Sequence, residues 1–292
     1  MKRVNLLAIV AISFGLTIMN SSCKNENSVG TVASLTATAL DETQVSNVSD
    51  EVISSADDYV NDIDLSGYQA VGSIDNSNPQ KIGFFRNING VIVTVDKAGN
   101  VYPKTITVDF GTSGITGKRG NILKGVIIIV VSNRMNIANS TRTFTFSDFF
   151  VNDNAVLGSK TVTYNGETAG KPSWTIVAKD TVVRADGTKV IWNSNRTRTR
   201  IDNYSTPLIY WDDLYSISGG SNGVNAKGVA YTKTINETNP LIVAGGYPFF
   251  TQGSVLITSE NKTVLVDYGD GTKDNKATVT IDGVTKEITL KK

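Results

Sequence analysis

Three arginines at alternate positions, Arg196, Arg198 and Arg200, are the residues of this chain whose type and spacing most suggest chemistry. On a β-strand they share one face with Val190 and Trp192, and neighbours in the row lie about 7 Å apart. Guanidinium groups bind carboxylates and phosphates through paired hydrogen bonds. The row, with Trp192 beside it, therefore predicts binding of an anionic glycan, a lipid head group or the acids of a protein partner.

Two other interpretations of the arginine row stay open. The row also suits a solvated face that pairs with acids on neighbouring strands. Alternatively, the partner is the chain itself: residues 25–80 contain ten acids and no Lys or Arg, whereas residues 81–292 carry 25 Lys and Arg against 17 acids. Such asymmetry can hold two parts of one chain together. An acidic segment lying across the row would join both features.

Acidic side chains raise the question of metal binding and hydrolysis. The segment Asp267–Asp274 is rich in oxygen donors, but it lacks the alternating acids and the final Glu of an EF-hand loop. A tight turn between strands is the preferred interpretation. Asp212 and Asp213 are candidates for a glycosidase pair, which requires two carboxyls about 5–9 Å apart. We assign no metal site, no catalytic residue and no cofactor, and we expect a protein that is not an enzyme.

Composition restricts the remaining chemistry. The chain has no histidine, and its one cysteine is Cys23. These counts exclude Ser-His-Asp and Cys-His triads, histidine-ligated zinc and thiolate metal sites. They also exclude a disulfide framework, so the fold must depend on its core. No nucleic-acid partner is expected.

One helix is predicted before the β-rich part. Apolar residues recur every three or four positions from Val45 to Ile63, Asp41 can cap the start, and Gly67 follows the end. Residues 41–67 are therefore predicted to form an amphipathic helix with one apolar and one acidic face. The Ser-, Thr- and Ala-rich residues 23–40 are interpreted as a flexible tether.

The rest of the chain, residues 81–292, predicts an antiparallel all-β body. Runs of period two alternate with turn dipeptides, and no βαβ alternation occurs. The clearest hairpins turn at Asp186-Gly187 and Asp282-Gly283, and further turns are predicted at Asn165-Gly166 and Asn222-Gly223. Recurrent glycines and the similar runs 108–112 and 266–270 favour a degenerate duplication, about 100–200 and 205–290. The alternative is that the glycines simply bend or bulge strands.

The first 23 residues have the pattern of a lipoprotein signal peptide. A basic start, Met1–Arg3, precedes the uncharged apolar run Leu6–Met19, and small serines lead to Cys23. The apolar run is shorter than the about 20 residues of a membrane span. Residues 1–22 are predicted to be removed and Cys23 to carry a lipid that anchors the chain. The alternative is ordinary cleavage near Ser22, which leaves a free thiol.

Several runs of the chain resemble known envelope proteins. Together with the residues around Cys23, the runs 106–112, 192–199, 267–272 and 274–281 resemble β-rich cell-envelope lipoproteins of the Bacteroidota that have no assigned activity. The resemblance covers most of residues 100–290. It implies a lipid-anchored protein of the outer membrane, on either its surface or its periplasmic face.

The sequence as a whole predicts a non-enzymatic, lipid-anchored envelope protein with a binding or structural role. Its expected partners are the membrane, through Cys23, and an anionic glycan, an envelope polymer or a protein. The first alternative is a fimbrial or adhesin subunit. The others are a carboxylate-based hydrolase and a periplasmic carrier of lipid, which would need a continuous apolar inner face.

Overall fold

The computed structural model describes residues 26–66, 72–75, 90–97, 99–117, 119–202, 213–245 and 247–290. Cys23, the signal peptide, Asp212 and the first three residues of the predicted tether lie outside the described residues. One long helix, α1 (Glu26–Ser66), comes first, and the strands follow it.

Within the described residues, sixteen strands follow the helix and belong to one antiparallel sheet, which confirms the predicted all-β class. The first eight are β1 (Gly72–Asp75), β2 (Ile92–Val95), β3 (Lys104–Asp109), β4 (Ile115–Thr116), β5 (Ile122–Val131), β6 (Thr141–Val151), β7 (Asn154–Thr168) and β8 (Lys171–Val183). The others are β9 (Lys189–Arg200), β10 (Leu214–Val224), β11 (Ala230–Ile235), β12 (Leu241–Ala244), β13 (Gln252–Ser259), β14 (Lys262–Asp270), β15 (Lys276–Ile281) and β16 (Val284–Thr289).

The sheet is a meander in which most consecutive strands are neighbours. Its order is β1-β2-β3-β5-β6-β7-β8-β9-β10-β11-β13-β14-β15-β16, with β4 paired to β5, and β12 paired to β10 and β13. The hairpins at Asp186-Gly187 and Asp282-Gly283 are confirmed as β8–β9 and β15–β16. Short connections of this kind place strands that follow one another along the chain side by side.

The sheet curls around α1, and none of the helix residues 34–57 is exposed: most are buried and the others are half-buried. Apolar residues from Leu35 to Ile63 are buried, and so are polar ones such as Thr38, Glu42 and Glu51. Helix side chains reach strands far apart in the sheet: Asp57 contacts Arg142 on β6, and Thr43 contacts Tyr268 on β14. We call the sheet face that meets α1 the inner face and the opposite one the outer face.

Two predictions about the helix are corrected by this arrangement. The helix begins at Glu26, so residues 26–40 are helical instead of a flexible tether, and Thr38 and Ala39 are fully buried. Asp41 is an interior residue of the helix and not its cap. Five helix acids predicted to be solvated are instead paired with basic side chains of the β body: Asp41, Glu42, Asp50, Glu51 and Asp57. No helix among the described residues has both the length and the apolar character needed to cross a membrane.

Two predicted turns lie inside strands. Asn165-Gly166 falls in β7 at a register shift, and Asn222-Gly223 falls in β10. At Gly223 an added Cβ would lie 2.0 Å from the Ile191 carbonyl oxygen and 2.9 Å from the Tyr231 hydroxyl. The glycine is therefore needed because neighbouring strands approach closely.

The structure contains features that fit each explanation of the repeated patterns, duplication and strand-bending glycines. In the similar runs, Asp109 accepts a hydrogen bond from Gly111 N and Asp267 accepts one from Gly269 N, at 2.7 and 2.8 Å. Three of the recurrent glycines, however, lie within strands, as expected for bends and bulges: Gly125, Gly158 and Gly253. Duplication remains a prediction.

Candidate functional site

The inner face meets the acidic helix through buried ion pairs, which we call the helix–sheet ion pairs. A helix enclosed by a sheet cannot turn its acids to water, and a buried charge is costly unless it is paired. The pairs are Asp41–Arg184, Glu42–Lys233, Asp50–Arg196, Glu51–Arg119 and Asp57–Arg142. They join α1 to strands β6, β9 and β11 and to the loops that carry Arg119 and Arg184.

Arg196 lies on β9 with its side chain buried against α1. Its Nη2 donates to Asp50 Oδ1 at 2.6 Å and its Nη1 to Oδ2 at 3.2 Å, the forked geometry that favours arginine over lysine. The guanidinium lies 4.9 Å from the centroid of the Trp192 ring. Burial tends to raise the pKa of Asp50, but the charge and hydrogen bonds of Arg196 outweigh it and the pKa falls below its ordinary value.

Trp192 and Lys233 converge on Glu42, near the middle of α1. The Trp192 Nε1 and the Ser221 hydroxyl each donate to Glu42 Oε1 at 3.2 Å, and Lys233 Nζ lies 2.6 Å from the same oxygen. Both charged side chains of the pair are 0% exposed. Burial lowers the pKa of Lys233, and the charge of Glu42 opposes that shift.

Arg198, the middle residue of the arginine row, is held between aromatic rings. Its guanidinium lies 4.4 Å from the Tyr215 centroid and 5.3 Å from the Trp174 centroid, within the range of cation–π attraction. Its Nη2 is 3.9 Å from Asp57 Oδ2, while Arg142 donates to the other oxygen of Asp57 at 2.5 Å. Arg198 and Arg142 therefore both contact Asp57, and Arg142 lies closer to it.

Arg200 belongs to a separate cluster, where β9 ends and β10 begins. Its Nε donates to Asp202 at 2.7 Å, and its Nη2 lies 2.5 Å from Asp213 Oδ1. The Tyr215 hydroxyl donates to Asp213 Oδ2 at 2.7 Å. Burial raises the pKa of Asp213 to about 6, although Tyr215 and Arg200 oppose that rise.

The two carboxyls of this cluster do not have the geometry of a glycosidase pair. Asp202 and Asp213 contact the same Arg200 guanidinium, at Nε and Nη2, which brings their carboxyls close together. A glycosidase needs room between its acids for a sugar oxygen or a water, which requires about 5 Å or more. Asp213 is also 1% exposed. The cluster fits a structural clamp that joins β9 to the residues before β10.

The structure thus brings all four predicted ligand-binding residues, Trp192, Arg196, Arg198 and Arg200, to the inner face. Arg196 and Arg200 are 1% and 5% exposed, so this is not the solvated face of the second interpretation. Arg196 and Arg198 meet helix acids, as the third interpretation expects, whereas Arg200 pairs with acids of the β body. Binding of an external anion stays a prediction, and it requires displacement of the chain's own carboxylates.

Most of the buried cations were not predicted, although their spacing from apolar strand residues indicates them. Arg142, Lys160 and Lys233 each precede an apolar residue by two positions in a strand, which places the charge on the apolar face. On the helix, Glu42 and Asp50 are eight residues apart and Asp50 and Asp57 are seven apart. That spacing returns to one helix face.

The acidic segment near the C-terminus is only partly the predicted turn: Asp267–Asp270 end β14, and residues 271–274 lie in the connection to β15. Asp270 Oδ1 accepts hydrogen bonds from the Thr272 backbone and hydroxyl at 3.1 and 2.8 Å. Among the residues that the structure describes, no group of three or more His, Cys, Asp or Glu side chains is placed to hold a metal ion.

The outer face carries hydroxyls and amides in rows across the strands. Thr163, Thr175, Thr197 and Ser218 are direct register partners on β7, β8, β9 and β10. A parallel row on the same face contains Asn193 and Asn222, whose side chains are hydrogen-bonded at 3.4 Å. Exposed aliphatic residues lie among these rows: Leu157, Val177 and Ile191. The charged residues of this part of the face are lysines: Lys179, the register partner of Asn193, and Lys171 and Lys189 at strand ends.

Comparison of the chain with protein-family models, with curated proteins and with solved structures found no match in any of the three.

Proposed function

We propose that this chain is a non-enzymatic, lipid-anchored protein of the cell envelope with a structural and binding role. The observation that carries the proposal is the position of α1. The helix begins three residues after Cys23 and runs into the centre of the sheet, where the helix–sheet ion pairs hold it. A lipid on Cys23 would therefore be joined to the core of the fold instead of to a loose tether.

The anchoring half of the proposal is tested by acyl labelling in cells. Wild type and Ser22→Ala, which keeps the cysteine, are expected to incorporate a labelled fatty acid and to sediment with membranes. Cys23→Ala is expected to do neither, since the thiol is the acylation site. Wild-type protein that carries no label would contradict the proposal.

The binding half of the proposal concerns the outer face. Because Arg196, Arg142 and Lys233 are neutralised inside the fold, the surface left for a partner across β7–β10 is mainly hydroxyl, amide and aliphatic. Neighbouring strands repeat these groups about every 4.8 Å. A neutral envelope glycan suits such a surface better than a polyanion does, because hydroxyls and amides both donate and accept hydrogen bonds.

This half is tested with arrays of neutral and anionic glycans. We expect wild type to bind neutral glycans, and Thr175→Arg to lose that binding because a long charged side chain then occupies the middle of the face. Thr285→Arg, on the peripheral strand β16, is the matched control and should bind like wild type. Binding restricted to anionic glycans would overturn the assignment of the outer face, and capture of a protein alone would replace the glycan with a protein partner.

A further inference from the structure

Lys160 and Asp180 form an ion pair in the interior of the fold, away from any surface that a partner could contact. They lie on adjacent strands, β7 and β8, their side chains are 0% and 1% exposed, and Nζ directly contacts Oδ2. On the other side, Nζ donates to the Ser49 hydroxyl of α1 at 2.7 Å. The Phe146 ring covers the amine, with Nζ 5.7 Å from the ring centroid. Solvent is therefore excluded from an amine and a carboxyl in contact.

Lys233, another fully buried lysine, can be compared with Lys160. Lys233 also meets a carboxylate, but Glu42 accepts additional hydrogen bonds from Trp192 and Ser221, which stabilise its ionised form. Among the described residues Asp180 accepts no comparable extra hydrogen bond: Lys160 Nζ contacts its Oδ2, and its Oδ1, like Glu42 Oε2, has no hydrogen-bond partner. Of the two buried pairs, Lys160–Asp180 is the one less stabilised as ions.

Low polarity favours the neutral forms of such a pair. Moving one proton from the ammonium to the carboxylate gives an amine and a carboxylic acid, and it removes two buried charges. Burial lowers the pKa of Lys160, against the opposing charge of Asp180. A neutral amine in contact with a carboxylic acid has the composition required for amide formation.

We propose that Lys160 and Asp180 condense into an intramolecular amide that cross-links β7 to β8. The Lys160 nitrogen attacks Asp180 Cγ, so a C–N bond forms and one C–O bond breaks. The oxygen leaves as water with two of the three protons of the original ammonium, and the third remains on the amide nitrogen. No oxidant or co-reactant is needed. The Ser49 hydroxyl, which accepts a hydrogen bond from Nζ, can take up a proton from the nitrogen as the C–N bond forms.

The reaction site is complete only in the folded chain. Ser49 belongs to α1, whereas Lys160, Asp180 and Phe146 belong to the sheet. The amine, the carboxyl and the hydroxyl therefore meet only after the helix is enclosed. Cross-linking should follow folding, and chain kept unfolded in urea should stay unlinked.

A tryptic peptide map of the full-length folded protein tests the proposal. An unlinked chain gives the separate peptides 143–160, 161–179 and 180–184, because Lys171 precedes a proline and resists cleavage. A linked chain gives one species in which 143–179 is joined to 180–184, since acylated Lys160 is no longer cut. Its mass is one water below the sum of those two segments, and its two N-termini, Thr143 and Asp180, distinguish it from an uncut linear peptide 143–184 of the same mass.

We expect the linked species from wild type and from Lys233→Arg, which leaves the reacting pair intact. Lys160→Arg, which keeps a positive charge but cannot form the amide, should give only separate peptides. Ser49→Ala should slow the appearance of the linked species several-fold. Wild-type protein that is folded, incubated for days and still yields only separate peptides at full mass would overturn the proposal. That result stands even if Lys160→Arg fails to fold.

Discussion

The ion pair between Glu42 and Lys233 makes the enclosed helix directly testable. Replacing Glu42 with Gln keeps the shape of the side chain but leaves the Lys233 ammonium buried without a counter-charge. Both side chains are 0% exposed and their charged atoms lie 2.6 Å apart. Removing one partner of such a pair costs about 3–5 kcal/mol, mostly through the stranded charge.

This loss should be visible in thermal unfolding of the full chain. For a domain of this size each kcal/mol corresponds to about 2–4 °C, so Tm is expected to fall by about 6–20 °C. Glu287→Gln is the matched control, because it removes the same charge from an exposed pair whose side chains are 56% and 61% accessible. Exposed pairs contribute about 0–1 kcal/mol.

A double variant separates the stranded charge from lost packing. Glu42→Gln combined with Lys233→Met removes both charges and should recover much of the stability lost by Glu42→Gln alone. If Glu42→Gln lowers Tm no more than Glu287→Gln does, Glu42 is not buried against Lys233. The enclosed position of α1 would then be refuted.

Three further outcomes are expected. The raised pKa of Asp213, about 6 against 3.8, means that the folded state holds a proton more tightly, so stability from this group grows as pH falls. The stability of wild type relative to Asp213→Asn, from urea unfolding, should rise by about 2 kcal/mol between pH 7 and pH 4.5, and parallel pH curves would contradict this. Gly158→Ala should cost about 3 kcal/mol or more, because φ is +112° and a Cβ would lie 2.0 Å from the Lys179 carbonyl oxygen. Gly187→Ala, at φ +83° with nothing within 4 Å, should cost about 1–2 kcal/mol, and equal urea midpoints would rule out the close approach. Deleting residues 26–66 should abolish cooperative unfolding and increase heparin retention, since the inner face then loses its core and its counter-charges; an unchanged melt and elution profile would contradict this.

Much of the fold follows from local patterns. Strong β-formers and turn dipeptides predicted the antiparallel class and the hairpins at Asp186-Gly187 and Asp282-Gly283, because such turns fix their own strand pairing. Strand β10 escaped prediction because its run SISGGSNG contains few β-formers, and its neighbours β9 and β11 supply the pairing. Tertiary context overrides propensity there.

The residues of the candidate site were predicted from the sequence, but the burial of these residues against α1 was not. The period-two pattern of a strand placed Arg196, Arg198 and Trp192 on one face. The charge asymmetry of the sequence indicated the chain's own acids as partners of the arginines. Periodicity could not show that the sheet closes over both faces of the helix, since an amphipathic pattern predicts burial on one side only. The sequence pattern predicts solvated acids on α1, because the cations that pair with them lie up to about 190 residues away in the chain, as Lys233 does from Glu42.

The central claim is that α1 forms the buried centre of the β body, and amide hydrogen exchange of the full-length protein tests it most directly. Peptides from residues 35–63 should exchange only through global unfolding, as slowly as peptides from β7, β8 and β9, because the residues described there are buried or half-buried and none is exposed. Exchange of residues 35–63 within seconds to minutes, while those strands stay protected, would show a helix that is not enclosed and would contradict the account.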